Sequence, residues 1–94
     1  MRAWISRVGR LLLARAGRHY PAAARRAGQQ GTVVIALHIG AQGKLRAVRL
    51  HRSSGHRSLD AAALAAVRDV GRVPPPPVAQ IKGPVLMPIA YRLR

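Results

Sequence analysis

The sequence predicts an α+β fold in which two N-terminal helical segments are followed by strand, strand, helix and strand. Three observations carry this. A period-two alternation of apolar residues begins at Gly31, after a stretch spaced for helix. Gly40-Ala41-Gln42-Gly43 separates two such alternating stretches, as a hairpin turn does. Helical spacing then returns between Ser53-Ser54-Gly55 and Gly71, before a last alternating run that ends the chain. With 94 residues, the chain has room for one compact unit and a thin core.

Residues Met1 to Arg18 read as a basic amphipathic helix. Trp4, Ile5, Val8, Leu11 and Leu12 share one face, with Arg15 intruding on it, and no acid occurs in the stretch. The division expected is an N-terminal helix over 1–18, packed loosely beside an independent unit over 19–94. Leu11 to Ala14 is the longest apolar run of this segment, far short of the ~20 residues a bilayer span needs. No secretory signal is legible, because arginines break the hydrophobic region and no small-x-small cleavage site follows it. Such a helix can also lie on an anionic membrane surface. Tyr20-Pro21 then opens a short second helix, with proline at its first position and Gly28 as its left-handed terminator.

Val33, Ile35, Leu37 and Ile39 form a core stripe. Val34 and Ala36 make the opposite face half apolar, which marks a central strand. The next strand, Leu45 to about Ser53, places Val48 and Leu50 inward with a basic outer face. Leu45 is out of phase with them, which predicts a bulge near Arg46 or Ala47. Ser58 is the expected N-cap of the following helix and Asp60 its favourable first-turn charge. The buried stripe expected on that helix is Leu59, Ala63, Ala66, Val67 and Val70. Gly71 and the run Pro74 to Pro77 end it, the prolines reading as a stiff connector rather than a ligand for an aromatic groove.

In the last strand, about Val85 to Leu93, Val85, Met87, Ile89, Tyr91 and Leu93 alternate with Leu86, Pro88, Ala90, Arg92 and Arg94. A proline inside a strand is tolerated at a sheet edge or a bulge. With Pro88 facing outward, Leu86, Ala90 and Arg92 turn their backbone groups to solvent, while the odd-numbered residues bond to the neighbouring strand. An edge of this kind is a docking rail for an extended segment of another chain.

Composition narrows the chemistry. There are 17 basic side chains, 15 of them arginine, against two aspartates and no glutamate, a formal charge of +15. The absence of cysteine excludes disulfides and thiolate sites, and two carboxylates leave little for acid–base catalysis. No catalytic residue, cofactor or metal is expected. His38 and His51 fall at separated positions of the hairpin, Ser53, Ser54 and Ser58 lack a triad partner, and Asp60 and Asp69 face opposite ways on their helix. Asp69 is expected to pair with Arg68 or Arg72. The charge favours anionic partners, so a basic electrostatic module for nucleic acid or anionic membrane stays open as the alternative. Nucleic acid is the weaker of these two, because Trp4, Tyr20 and Tyr91 are the only aromatics available for base stacking.

The ordered series Tyr20-Pro21-Ala22-Ala23-Ala24-Arg25-Arg26-Ala27-Gly28, Gly31-Thr32-Val33-Val34, Gly43, Ser53-Ser54-Gly55, Leu59-Asp60-Ala61-Ala62-Ala63 and Pro74 to Pro77 resembles the C-terminal domain of the TonB energy-transducer family. The resemblance covers Arg18 to Arg94. It implies a two-layer β-β-α-β core, in which one helix packs on a three-stranded antiparallel sheet whose first strand is central and whose last strand is an edge. It also implies a non-enzymatic, mechanical activity. A membrane anchor couples to the ExbB–ExbD motor at the periplasmic face of the inner membrane, and the domain grips the Ton box of an outer-membrane receptor, supporting siderophore or cobalamin uptake. Carried onto this sequence, the docking edge is Val85 to Arg92, with a docked strand bonding chiefly beyond Pro88, around Ala90 and Arg92. The family's transmembrane anchor and proline-rich spacer have no counterpart in these residues, so coupling to ExbB–ExbD is expected only with an anchor supplied elsewhere. An exposed edge also allows strand exchange into a homodimer.

Overall fold

The computed structural model describes residues 2–78 and 81–93; Met1 and Arg94, which bounded the sequence-based elements, lie outside them. The element order is α1 (Arg2–Arg18), α2 (Ala22–Arg26), β1 (Gly31–Ile39), β2 (Leu45–Arg52), α3 (Arg57–Val70) and β3 (Val85–Tyr91). The sheet is antiparallel with order β2-β1-β3, so the doubly apolar β1 is central, as its sequence required. One face is covered by helices. Val33, Ile35, Leu37 and Ile39 of β1 and Met87, Ile89 and Tyr91 of β3 are buried there with Leu59, Ala63, Ala66 and Val67 of α3.

The first helix departs most from expectation. Rather than lying loosely beside the domain, α1 buries Trp4, Val8, Leu12 and Ala16 in the same core. This four-residue spacing is one helical stripe, narrower than the face read from sequence, and Leu11 is left exposed. The physical reason lies in coverage. The small side chains of α3 bring it close to the sheet but leave the inner side of β3 uncovered, and α1 fills that space. At Gly9 its backbone passes so near that an added Cβ would sit 3.6 Å from Met87 Sδ. The indole of Trp4 donates to the carbonyl of Pro74 at 2.6 Å, which fastens the helix to the proline connector.

The hairpin closes as predicted. Gly40 N–H donates to Lys44 O and Gly43 N–H to Gly40 O, each at 2.9 Å, with Gly43 at φ 86°. The register of β2 slips twice, between Val34 and Ile35 and between Ala36 and His38 of its partner. The second slip falls at the predicted bulge, where Ala47 takes φ 49°. Leu50 stands opposite Ile35 on the helix-covered face, yet at the outer strand of the sheet it is left 41% exposed.

Two helix starts move. Pro21 is the N-cap of α2 instead of its first residue, its carbonyl accepting from Arg25 N–H at 2.9 Å. For α3, the N-cap is His56 in extended conformation, not Ser58. Ser58 instead donates to Gln29 Oε1 at 2.6 Å. Asp60 is more than a dipole partner: it is buried and collects Ser54 N–H and Ser54 Oγ–H at Oδ1, both 2.8 Å, and Ser53 Oγ–H at Oδ2. Two distant-looking motif pieces, Ser53-Ser54 and Leu59-Asp60, are therefore one structural unit joining β2 to α3.

Candidate functional site

β3 owes its place to its sequence. Its odd-numbered residues are large and apolar and its register aligns them with the odd-numbered residues of β1: Val85 with Leu37, Met87 with Ile35, Ile89 with Val33 and Tyr91 with Gly31. Among the described residues β3 has β1 as its single strand neighbour. The backbone phase follows from both ends of β1. Gly40 N–H bonds across the hairpin to β2, so the even-numbered residues of β1 direct their groups to β2 and the odd-numbered ones to β3. At the other end Leu93 N–H, also odd-numbered, turns toward the β1 side and donates to Gln30 Oε1 at 2.8 Å. Leu86, Pro88 and Ala90 consequently face the open edge with their backbone groups, and Pro88 stands opposite Val34 without taking a donor from the ladder.

The eight residues of the sequence-predicted edge divide by position. Met87, Ile89 and Tyr91 are buried and hold the strand in place. Leu86 is 49% exposed and Pro88 is exposed, while Val85 and Ala90 are half-buried. Arg92 lies one residue beyond the ladder and is exposed. The strand stops at Tyr91, two residues short of the predicted end, because β1 begins at Gly31 and a Gln30 side chain, not a backbone group, receives Leu93 N–H.

Tyr91 deepens this end of the edge. Its ring meets that of Tyr20 edge-to-face, centroids 5.0 Å apart. Burial first, and the neighbouring Tyr20 second, push its hydroxyl up to about 12. Among the described residues that hydroxyl has no hydrogen-bond partner. Tyr20 in turn donates its own hydroxyl to Gln29 O and carries the Arg25 guanidinium 5.2 Å over its ring. Sequence reading treated Tyr20 and Arg25 as parts of a helix opening. Their proximity to Arg92 comes from long-range packing, which no local spacing reports.

The charges sit mainly on surfaces. Asp69 pairs with Arg15 at 2.8 Å instead of the expected Arg68 or Arg72. Arg68 is its immediate helix neighbour and diverges from it, and Arg72 lies past the helix end at Gly71. Arg46, Arg49 and Arg52 lie opposite His38, Ala36 and Val34 on the sheet face away from the helices. Hydrogen bonds from Ser53 and Ser54 and the nearby His56 hold the Asp60 carboxyl below its ordinary value, although burial, the largest single influence, works to raise it. His38 lies opposite Arg46, away from His51, and among the described residues no three metal-ligating side chains converge. No described helix is long and apolar enough to cross a membrane.

Comparison with known proteins gives consistent matches. The profile of the family described as "Gram-negative bacterial TonB protein C-terminal" matches residues 16–93. Protein TonB of Pasteurella multocida is 36% identical over 76 residues, which is 81% of this chain and 29% of that protein. Protein tonB2 of Pseudomonas aeruginosa is 42% identical over 55 residues, 58% of this chain and 20% of that protein. The chain thus spans less than a third of the length of these relatives. Two NMR structures of the Helicobacter pylori TonB-CTD superpose with TM-scores of 0.79 and 0.73. The first is 24% identical and covers the whole of this chain and 84% of the other; the second is 25% identical and covers 94% and 91%.

Proposed function

The chain belongs to the TonB C-terminal family, and from that premise we propose that residues 19–94 form the receptor-gripping unit of a TonB-type energy transducer, with α1 as its brace. The unit works at the periplasmic face of the inner membrane. It takes the Ton box of an outer-membrane receptor as a fourth strand along Val85 to Arg92, in support of siderophore or cobalamin uptake, and couples to ExbB–ExbD through an anchor. It has no catalytic step.

The observation that carries this reading is the open edge of β3. Leu86 and Ala90 direct both backbone groups away from β1 on a strand whose inner side chains are buried and fixed. An extended segment arriving there gains main-chain hydrogen bonds without rearranging the core. Pro88 offers a carbonyl alone, so a docked strand finds its donors on either side of it.

The test is an amide-resolved NMR titration with a Ton-box peptide at low and moderate salt. Saturable shifts confined to Val85–Arg92 that persist at moderate salt are expected. Ala90→Pro, which removes an outward donor while the domain stays folded, should weaken binding about tenfold, in line with one lost hydrogen bond in a desolvated strand pair. Diffuse shifts over the arginines that vanish with salt would sink the proposal and leave an electrostatic binder in its place.

A further inference from the structure

Beyond the C-terminal end of β3 lies an open cavity of about 510 Å³, lined by Tyr20, Arg25, Arg92 and Leu93. A smaller hollow of about 300 Å³ shares Arg92 and continues along Thr32, Gly31 and Gln30. Two arginines thus line one concavity, and the single carboxylate ion pair among the described residues is elsewhere, at Arg15 and Asp69.

The walls of this cavity are held. Tyr20 is fixed by its hydroxyl on Gln29 O and by its edge-to-face contact with Tyr91. Arg25 rests over the Tyr20 ring, which restrains its guanidinium plane. Leu93 is anchored through its N–H to Gln30 Oε1. A planar cation restrained on an aromatic face loses little freedom on meeting a planar anion, and Arg offers two parallel N–H donors to a carboxylate. Arg92 directly follows the last ladder residue of β3, so the cavity lies just past the C-terminal end of the edge that Leu86 and Ala90 present.

We infer that the cavity between Tyr20, Arg25, Arg92 and Leu93 is a subsite for an acidic side chain of the docked segment. It receives one aspartate or glutamate carboxylate between the two guanidinium groups. The inference rests on the strand-docking reading and adds a side-chain selectivity that main-chain bonding lacks. Main-chain bonds fix that a strand docks, and the subsite fixes its position along the edge.

The test uses the full chain and synthetic extended peptides of Thr, Ser and Val. Each carries a single Glu, moved one position at a time, and each is compared with its Gln twin. Affinities and shifts are read for the backbone of Leu86–Arg92 and for the Nε–Hε groups of Arg25 and Arg92. At one position Glu should bind about tenfold more tightly than Gln, the gain of one charge-assisted pair. Arg25→Gln, which removes the charge and leaves a shorter polar amide beside Tyr20, should shrink that ratio below about threefold while the Gln peptide still shifts Leu86–Ala90. Equal binding of the twins at every position, with shifts along the edge, overturns the subsite and leaves the edge standing. An unchanged ratio in Arg25→Gln also overturns it. If no peptide shifts Leu86–Ala90, the edge reading fails. The subsite is then decided by whether the Glu peptides alone shift the two Nε–Hε signals saturably.

Discussion

Replacing Gly43 by alanine should cost more than any other single methyl group added to this chain. Two separate penalties meet there. At φ 86° the residue sits in the left-handed region, where a side chain costs ~1 kcal/mol or more. A Cβ would also stand 1.9 Å from the carbonyl oxygen of Val73 and 3.0 Å from its carbon. That carbonyl is backbone, and it has to retreat by about 1 Å. The retreat breaks the 2.9 Å bond from Val73 N–H to Gly43 O and draws Pro74 O away from the Trp4 indole, 2.6 Å distant. At ~1 kcal/mol for each bond, with partial exposure of the buried Val73 adding another ~1 kcal/mol, the total is about 4 kcal/mol. A domain of this size has only ~5–15 kcal/mol in all. Urea denaturation followed by the fluorescence of Trp4 measures it directly. Gly40→Ala is the control, because its Cβ meets nothing closer than 3.7 Å, and it should change stability by less than ~1 kcal/mol. A loss below ~1 kcal/mol for Gly43→Ala, with an unchanged denaturant slope, would refute the reasoning.

The two perturbed ionisable groups give opposite pH signatures. Tyr91→Phe removes a buried hydroxyl with no partner among the described residues and should stabilise by about 1 kcal/mol at pH 7. In the native chain, burial pushes the folded Tyr91 hydroxyl up to about 12 against about 10 when unfolded, so the fold loses stability as pH rises from about 10 toward 12. The melting-temperature gap between Tyr91→Phe and the native chain should therefore widen between pH 9 and pH 11, and a constant gap would contradict it. Asp60 behaves in the reverse sense. Its folded value lies below the unfolded one, so its contribution is present above about pH 4 and disappears as pH falls through the folded value. Asp60→Asn should cost ~1–3 kcal/mol at pH 7 and flatten the acid limb of stability measured by urea titration; an acid limb of unchanged slope would rule Asp60 out as its source.

The parts of this fold that were legible in sequence are those governed by local rules. Alternation placed β1 and β3, paired glycines placed the hairpin, and the phase slip at Leu45 located the bulge at Ala47. Pro88 marked the edge because a missing donor is a property of one residue, whatever surrounds it. What escaped were matters of long-range partnership. Arg15 meets Asp69 across 54 positions, and the helix that looked detachable is seated by Trp4, Val8, Leu12 and Ala16 against residues far along the chain. Asp60 read as a helix-dipole charge because its serine partners precede the helix, and only the β2–α3 corner brings them onto it. The cavity beside Arg92 was hidden for the same reason, since Tyr20 and Arg25 reach it only after the chain has closed.

The proline on the open edge also separates self from other. Two copies of this domain meeting edge to edge about a two-fold axis would each bring the same gap, so the shared ladder would lack donors at two symmetric places. A foreign strand without a proline at that place meets the gap once. The symmetric pairing thus forfeits twice what the asymmetric one does, and both lost bonds fall near the middle of a seven-residue strand, where a short ladder can least spare them. One ring in the backbone thereby biases an adhesive surface toward heterologous company.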